Sequence, residues 1–226
     1  MGTAAYDAHA DWYEEYVSAS VEVGYTRRVH DLIRLLLGRG GGACLDVCCG
    51  TGVPAPVLRE LGWTPVGVDL SRGQLRHAAG RLPVAVGDAA ALPVAGGAVP
   101  AAVCVLAHTD VPDYAAVLRE VARALRPGGR FVHVGVHPCF VGAFADWSGW
   151  KGGSRVVVDA RYADRSHTFD GWNPHGVRAR VGAWHLPLAD LLNAVTAAGL
   201  RLDRTAETGP GGLADVFALV AVKPGA

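Results

Sequence analysis

CLDVCCGTG, residues 44–52, sets a carboxylate, Asp46, among small apolar residues four positions before a Gly-Thr-Gly turn. An ionised side chain in a buried strand costs several kcal/mol unless a partner or ligand meets it. The glycine pair lets something approach the backbone closely from outside. Together they predict a strand, residues 43–47, that ends at a ligand with a polar or cationic part. Pro54 suits the first turn of a following helix and Gly62 its end.

Outward from this unit, strands and helices alternate. Residues 65–69, 83–88, 101–107 and 130–136 read as further strands, 101–107 with the continuous apolar character of a strand covered on both faces. Ser71 is placed to cap a helix. Upstream, Val29, Leu32, Ile33 and Leu36 recur at helical spacing and Gly38 ends the helix. Downstream, Leu188, Leu191, Leu192 and Val195 share a helix face, and two last strands form a hairpin around GPGG. Such alternation argues for a parallel, doubly wound α/β sheet with one antiparallel strand. Between His137 and Pro187 the alternation stops, and residues 138–186 are irregular and rich in aromatics and histidines.

Lys plus Arg and Asp plus Glu are balanced at 21 each among 226 residues, which gives no electrostatic footprint for nucleic acid or an anionic membrane. No apolar run is long enough to span a bilayer, and residues 1–17 show no secretory pattern. Five cysteines without a paired CxxC framework are expected to be reduced thiols of a cytoplasmic protein, not metal ligands. No metal is expected.

Gly50, Gly52 and Ala55 fit G-x-G-x-x-A, and Asp69 closes the second strand, so the turn also passes as a dinucleotide fingerprint. Asp46 argues against that reading, because a carboxylate is an unhelpful neighbour for a pyrophosphate. A ligand carrying an ammonium and a sulfonium suits acidic surroundings. LDVCCGTG, GVDLS, GDAAALP, AHTDVPDY and REVARALRPGGRFVHVG, in that order over residues 43–137, resemble the motif series of class I S-adenosylmethionine-dependent methyltransferases. The group is the ubiquinone/menaquinone-biosynthesis-like one, also called methyltransferase type 11. YDAHADWYEEYV, residues 6–17, resembles its lid.

The resemblance implies a Rossmann-like seven-stranded sheet of order 3-2-1-4-5-7-6, with strand 7 antiparallel, and S-adenosylmethionine as cofactor. It implies a single domain, 1–226, made of a lid and helix (1–38), a cofactor-binding core (43–137), a substrate cap (138–186) and a last helix with hairpin (187–226). Carried over, Asp46, Gly50, Thr51 and Gly52 hold the methionine end, Asp69 takes the ribose hydroxyls, Leu70 packs on adenine, Asp88 and Ala89 read its edge, and Ala107 lines the pocket. Cys48 stands where the family has its first loop glycine and is retained as a cofactor residue. A carboxylate at a strand end is partly solvated, so Asp69 is expected to matter to binding more than to stability.

The expected reaction is methylation of a small organic acceptor at oxygen or nitrogen by in-line displacement. Alignment in a dry pocket can supply about 7–11 kcal/mol of such a barrier, and a histidine base is expected to take the proton. His108 and His137, after the fourth and fifth strands, and His185, at the start of HLPLADLLNA, are the candidate bases. Tyr6 and Tyr13 of the lid, with Phe140, Trp147, Trp150, Trp172 and Trp184 of the cap, are the candidate acceptor wall. Two other readings stay open: a module that binds S-adenosylmethionine without transferring methyl, and a nicotinamide-dependent oxidoreductase. The oligomeric state is not legible.

Overall fold

The computed structural model describes residues 4–22, 24–150, 155–171 and 173–225. Trp172 lies outside them. An N-terminal 3₁₀ turn leads into α1 (Ala10–Glu22) and α2 (Tyr25–Leu37), separated at Gly24, whose φ of 75° breaks the helix. Then follow β1 (Ala43–Val47), α3 (Ala55–Glu60), β2 (Thr64–Asp69), α4 (Arg72–Ala78), β3 (Val84–Val86), β4 (Val99–Val105), α5 (Tyr114–Ala124) and β5 (Leu125–Val136). The irregular region holds a two-stranded ribbon, β6 (Ala145–Asp146) and β7 (Val157–Val158), and the short α6 (Val177–Val181). The chain closes with α7 (Leu188–Ala197), β8 (Arg201–Thr208) and β9 (Val216–Val222).

The main sheet has the order β3-β2-β1-β4-β5-β9-β8. Strands β1 to β5 pair in parallel, and β9 runs antiparallel between β5 and β8. With the ribbon set aside this is the expected seven-strand order. Parallel strands buried on both faces explain the apolar runs. Leu45, Val47, Ala102 and Cys104 face one layer, with α5 and α7, while Cys44, Ala101 and Val103 face the other, with α2 and α3. Helix α5 stops at Ala124 rather than at the Pro-Gly-Gly that follows, because Leu125 already turns extended to pair with Val99.

Among the described residues two non-glycine residues take the left-handed conformation, Cys48 (φ 57°) after β1 and Leu106 (φ 57°) after β4. These adjacent strands end at the same place, so both turns bend the chain beside one cavity. An L side chain there costs about 1–2 kcal/mol. Cys48→Gly is therefore expected to raise stability by about 1 kcal/mol, measured by urea unfolding, opposed by the loss of its thiol contact to Cys104 and of its packing on the core and by the greater chain entropy of glycine. A variant no more stable than the parent would show that these opposing changes outweigh the strain.

Candidate active site

A cavity of about 1130 Å³ opens at the carboxyl ends of the parallel strands. Ligand pockets commonly measure about 300–1,000 Å³, so there is room for a cofactor and a second molecule. Its floor is the set of turns after β1, β2, β3 and β4, where open α/β sheets bind ligands.

Asp46 sits on the wall near the end of β1, 1 % exposed, and both carboxylate oxygens are buried without a hydrogen-bond partner among the described residues. Burial, with Asp69 adding like charge, pushes its pKa from 3.8 up to about 8. Asp69, ending β2, accepts hydrogen bonds from the backbone N–H of Gly50 (2.8 Å) and of Ser71 (2.8 Å). Its position therefore ties the two turns together as well as facing the cavity, and burial raises its pKa too. This corrects the expectation that Asp69 contributes little to stability. Gly50 has φ 52°, and a Cβ there would meet nothing nearer than Gln74 Oε1 at 3.8 Å, so its face is open to a ligand. Gly52 lies off the cavity wall. Its φ is 79° and a Cβ would strike Leu82 at 2.6 Å, so packing against the turn after α4 demands this glycine, not ligand approach. Cys48, Thr51, Leu70, Asp88, Ala89 and Ala107 all line the cavity. Asp88 Oδ1 also accepts from Ala90 N–H at 2.8 Å.

The three histidines nominated as bases are not on the wall. Val136 points into the cavity, so strand alternation sends His137 to the other face. There its Nε2 lies 2.8 Å from Glu207, and its ring packs on Phe140 and Phe217. After the left-handed turn at Leu106, Ala107 faces the cavity and His108 faces inward against His133 (5.0 Å) and Tyr114 (6.0 Å). Burial drives the His108 pKa down to about 3. His185 packs between Phe144 and Tyr162 within the cap, its pKa lowered to about 4 mainly by burial. All three are packing residues in this conformation.

The structure places most of the aromatics nominated for the acceptor wall at the cavity. Tyr6, Tyr13, Trp147, Trp150 and Trp184 line the cavity. Phe140 does not: its ring stacks on His137 at 4.6 Å and its carbonyl accepts from Trp147 Nε1 at 2.6 Å. The N-terminal segment is fastened to the core through Asp7, which accepts from Ser71 Oγ (2.7 Å) and Gly73 N–H (3.0 Å). It meets the irregular segment after β5 where the Arg180 guanidinium lies 4.3 Å over the Trp12 ring.

Sequence reading missed the roles of Asp110, Arg178, Gln74, His30 and His167, all of which line the cavity. Asp110, five residues past β4, accepts a hydrogen bond from Tyr6 Oη at 3.1 Å. Burial, outweighing that bond, lifts its pKa from 3.8 to about 7. Its place in AHTDVPDY, just beyond a strand end, was the available signal.

The raised pKa values of Asp46 and Asp110 make the cofactor-free protein pH-sensitive. Both groups hold protons in the fold that the unfolded chain releases near 3.8, so the folded state binds more protons as pH rises. Their contribution is fully present below about pH 4 and is lost as pH rises through the folded values. Up to about pH 6.5 the buried neutral His108 and His185 act in the opposite direction, gaining stability as pH rises. The thermal midpoint should therefore fall between about pH 7 and pH 8.5, and Asp46→Asn should flatten that fall. An unchanged slope in the variant would show that Asp46 is not held neutral.

Residues 45–133 match the family described as a methyltransferase domain. A demethylmenaquinone methyltransferase of Mycolicibacterium paratuberculosis is 39 % identical over 114 residues, 50 % of this chain and 50 % of that one. Methyltransferase GfsG of Streptomyces halstedii is 36 % identical over 114 residues, 46 % of this chain and 41 % of that one. The chain thus spans about half the length of the curated relatives it matches. An S-adenosylmethionine-dependent methyltransferase from Mesorhizobium loti, solved by crystallography, superposes with a TM-score of 0.70 at 24 % identity, covering 85 % of this chain and 95 % of that one. The fold is shared with S-adenosylmethionine-dependent methyltransferases of known structure, and residues 45–133 within it match the methyltransferase domain. Over about half of its length the chain is similar to demethylmenaquinone methyltransferases.

S-adenosylmethionine is the cofactor of that class, and the cavity's residues fit it. The unpartnered Asp46 carboxylate suits an ammonium, the open face of Gly50 admits close approach, and the Asp69 oxygens keep lone pairs for hydroxyls. Among the described residues no helix is long and apolar enough to cross a membrane.

Proposed function

We propose that the chain methylates a small organic acceptor at oxygen or nitrogen, using Asp110 as the base. The observation that carries this is one cavity holding the buried, unpartnered Asp46 at one end and the Tyr6–Asp110 pair on its wall, with space for a second molecule. S-adenosylmethionine, when bound, supplies a methyl group on a sulfur already activated as a leaving group. Asp46, Asp69 and Asp88 hold and orient it. The tyrosines and tryptophans of lid and cap exclude water and hold the acceptor in line, where alignment is worth about 7–11 kcal/mol.

An O–H or N–H acceptor must also lose a proton. A carboxylate with a pKa near 7 is suited to taking it at neutral pH, and Asp110 is such a group. Tyr6 holds it in place through the hydrogen bond it donates. Residues 4–22 and the cap then act as the closing elements, and the Trp12–Arg180 contact is where they meet.

Two measurements test the reading. Titration calorimetry should show binding of S-adenosylmethionine, and a small-molecule extract incubated with methyl-labelled cofactor should yield labelled product. No binding overturns the proposal. Tight binding without any labelled product favours the module that binds the cofactor and transfers nothing.

A further inference from the structure

Arg178, on α6, carries its charge into the cavity wall while largely withdrawn from water. Its Nη1 donates to Thr168 Oγ1 (2.9 Å) and to the carbonyl of Ala183 (2.9 Å). Those two residues bridge each other through backbone hydrogen bonds of 3.0 and 2.9 Å, so the anchor is rigid. A guanidinium has five N–H donors in a planar fork, and this anchoring occupies one nitrogen. Asp110 and Asp170 lie within electrostatic reach, yet among the described residues neither forms an ion pair with Arg178. Asp110 is engaged by Tyr6 instead.

The distribution of charge around the cavity is uneven. Among the described lining residues Arg178 is the sole Lys or Arg, against six aspartates. Asp46, Asp69 and Asp88 belong to the cofactor end, and Asp215 is paired with Arg28 at 2.7 Å. Elsewhere on the wall an anion would meet like charge. At Arg178 it would meet a fixed, partly desolvated cation, the setting in which a charge-assisted bidentate contact is strongest. The same cavity wall carries apolar surface: Val177 and Val181 on the same helix, and the rings of Trp147, Trp150 and Trp184. All of these lie outside residues 45–133, the part matched to the methyltransferase domain.

We infer that the acceptor is a planar, largely apolar molecule bearing a carboxylate, and that Arg178 is the residue that selects it. The inference rests on the methyltransferase reading of the cavity and adds the acceptor's chemical class. The carboxylate seats on the free edge of the guanidinium, the ring system lies against the indoles, and the nucleophilic O–H or N–H is presented toward the cofactor end. A neutral molecule of the same shape keeps the ring contacts and forfeits the ionic one.

The test compares 2-naphthoate with methyl 2-naphthoate, equal in ring system and different in charge, by calorimetry on the full chain saturated with S-adenosylhomocysteine. The acid should bind roughly tenfold to a hundredfold more tightly, the worth of a charge-assisted hydrogen bond. Arg178→Met should erase the difference while leaving the ester's affinity and the S-adenosylhomocysteine affinity as they were. Arg178→Lys, which keeps the charge and loses the fork, should retain part of it, and this variant decides the matter if the Met variant fails to fold. Equal binding of acid and ester to the parent, or a preference that survives in Arg178→Met, overturns the inference. So does tighter binding of the ester, which would point to a neutral acceptor. Failure of S-adenosylhomocysteine itself to bind would instead overturn the methyltransferase reading on which this one stands.

Discussion

Asp69→Ala is expected to weaken S-adenosylmethionine binding by a hundredfold or more and to destabilise the fold as well. Two hydrogen bonds from ribose hydroxyls to a carboxylate are worth about 1.5–3 kcal/mol each, and about 1.4 kcal/mol is a factor of ten in affinity. The stability loss has a separate cause. The carboxylate already accepts the backbone N–H groups of Gly50 and Ser71, each at 2.8 Å, and alanine leaves both donors without a partner. An orphaned buried donor costs about 1–3 kcal/mol. Calorimetric titration and urea unfolding of the variant read the two effects independently. A folded variant with unchanged affinity would remove Asp69 from the cofactor site. A variant as stable as the parent would show that the two turns hold their geometry without it.

Asp110→Asn is expected to lower kcat by about 10²–10⁴-fold, the usual worth of general-base catalysis, with cofactor affinity little changed. The pH dependence carries the sign. With its pKa lifted to about 7, Asp110 is protonated and idle in acid, so activity should rise with pH through that value. The amide cannot titrate, so the variant should lose this limb and keep only its residual rate. The measurement is a pH–rate profile with the acceptor recovered from the labelled-methyl screen. A variant with full turnover, or with the same limb, would assign the proton transfer elsewhere. Tyr6→Phe should give a milder loss, because it frees Asp110 without removing it.

The core was readable because its constraints are local. A strand covered on both faces needs an apolar run, a helix beginning beside a ligand needs glycines and a cap, and both appear at fixed spacing from Ala43 to His137. That Asp46, Asp69 and Asp88 reach the cavity could be read in the same way, since each stands at or near the end of a strand whose direction the alternation dictates. Gly52 shows where such reasoning overreaches: its spacing suits a ligand loop, while its requirement comes from Leu82 on a different segment. The histidines failed for a related reason. Position after a strand places a residue near the crevice, but period-two alternation and a left-handed residue such as Leu106 decide which way it points.

The alternation of strands and helices and a terminal hairpin with one antiparallel strand thus followed from residue type and spacing, while the strand order came from the resemblance to the methyltransferase motif series. Which side chains share the rest of the cavity did not follow, because Tyr6, Asp110 and Arg178 are far apart in the chain and come to one wall only when the N-terminal helix, the loop after β4 and the segment holding α6 pack together. Their chemistry is also a product of that packing. An aspartate five residues beyond a strand is an ordinary carboxylate in the unfolded chain, and only exclusion of water by the surrounding residues moves its pKa to about 7. Desolvation is a property of the assembled environment, with no counterpart in the order of residues along the chain.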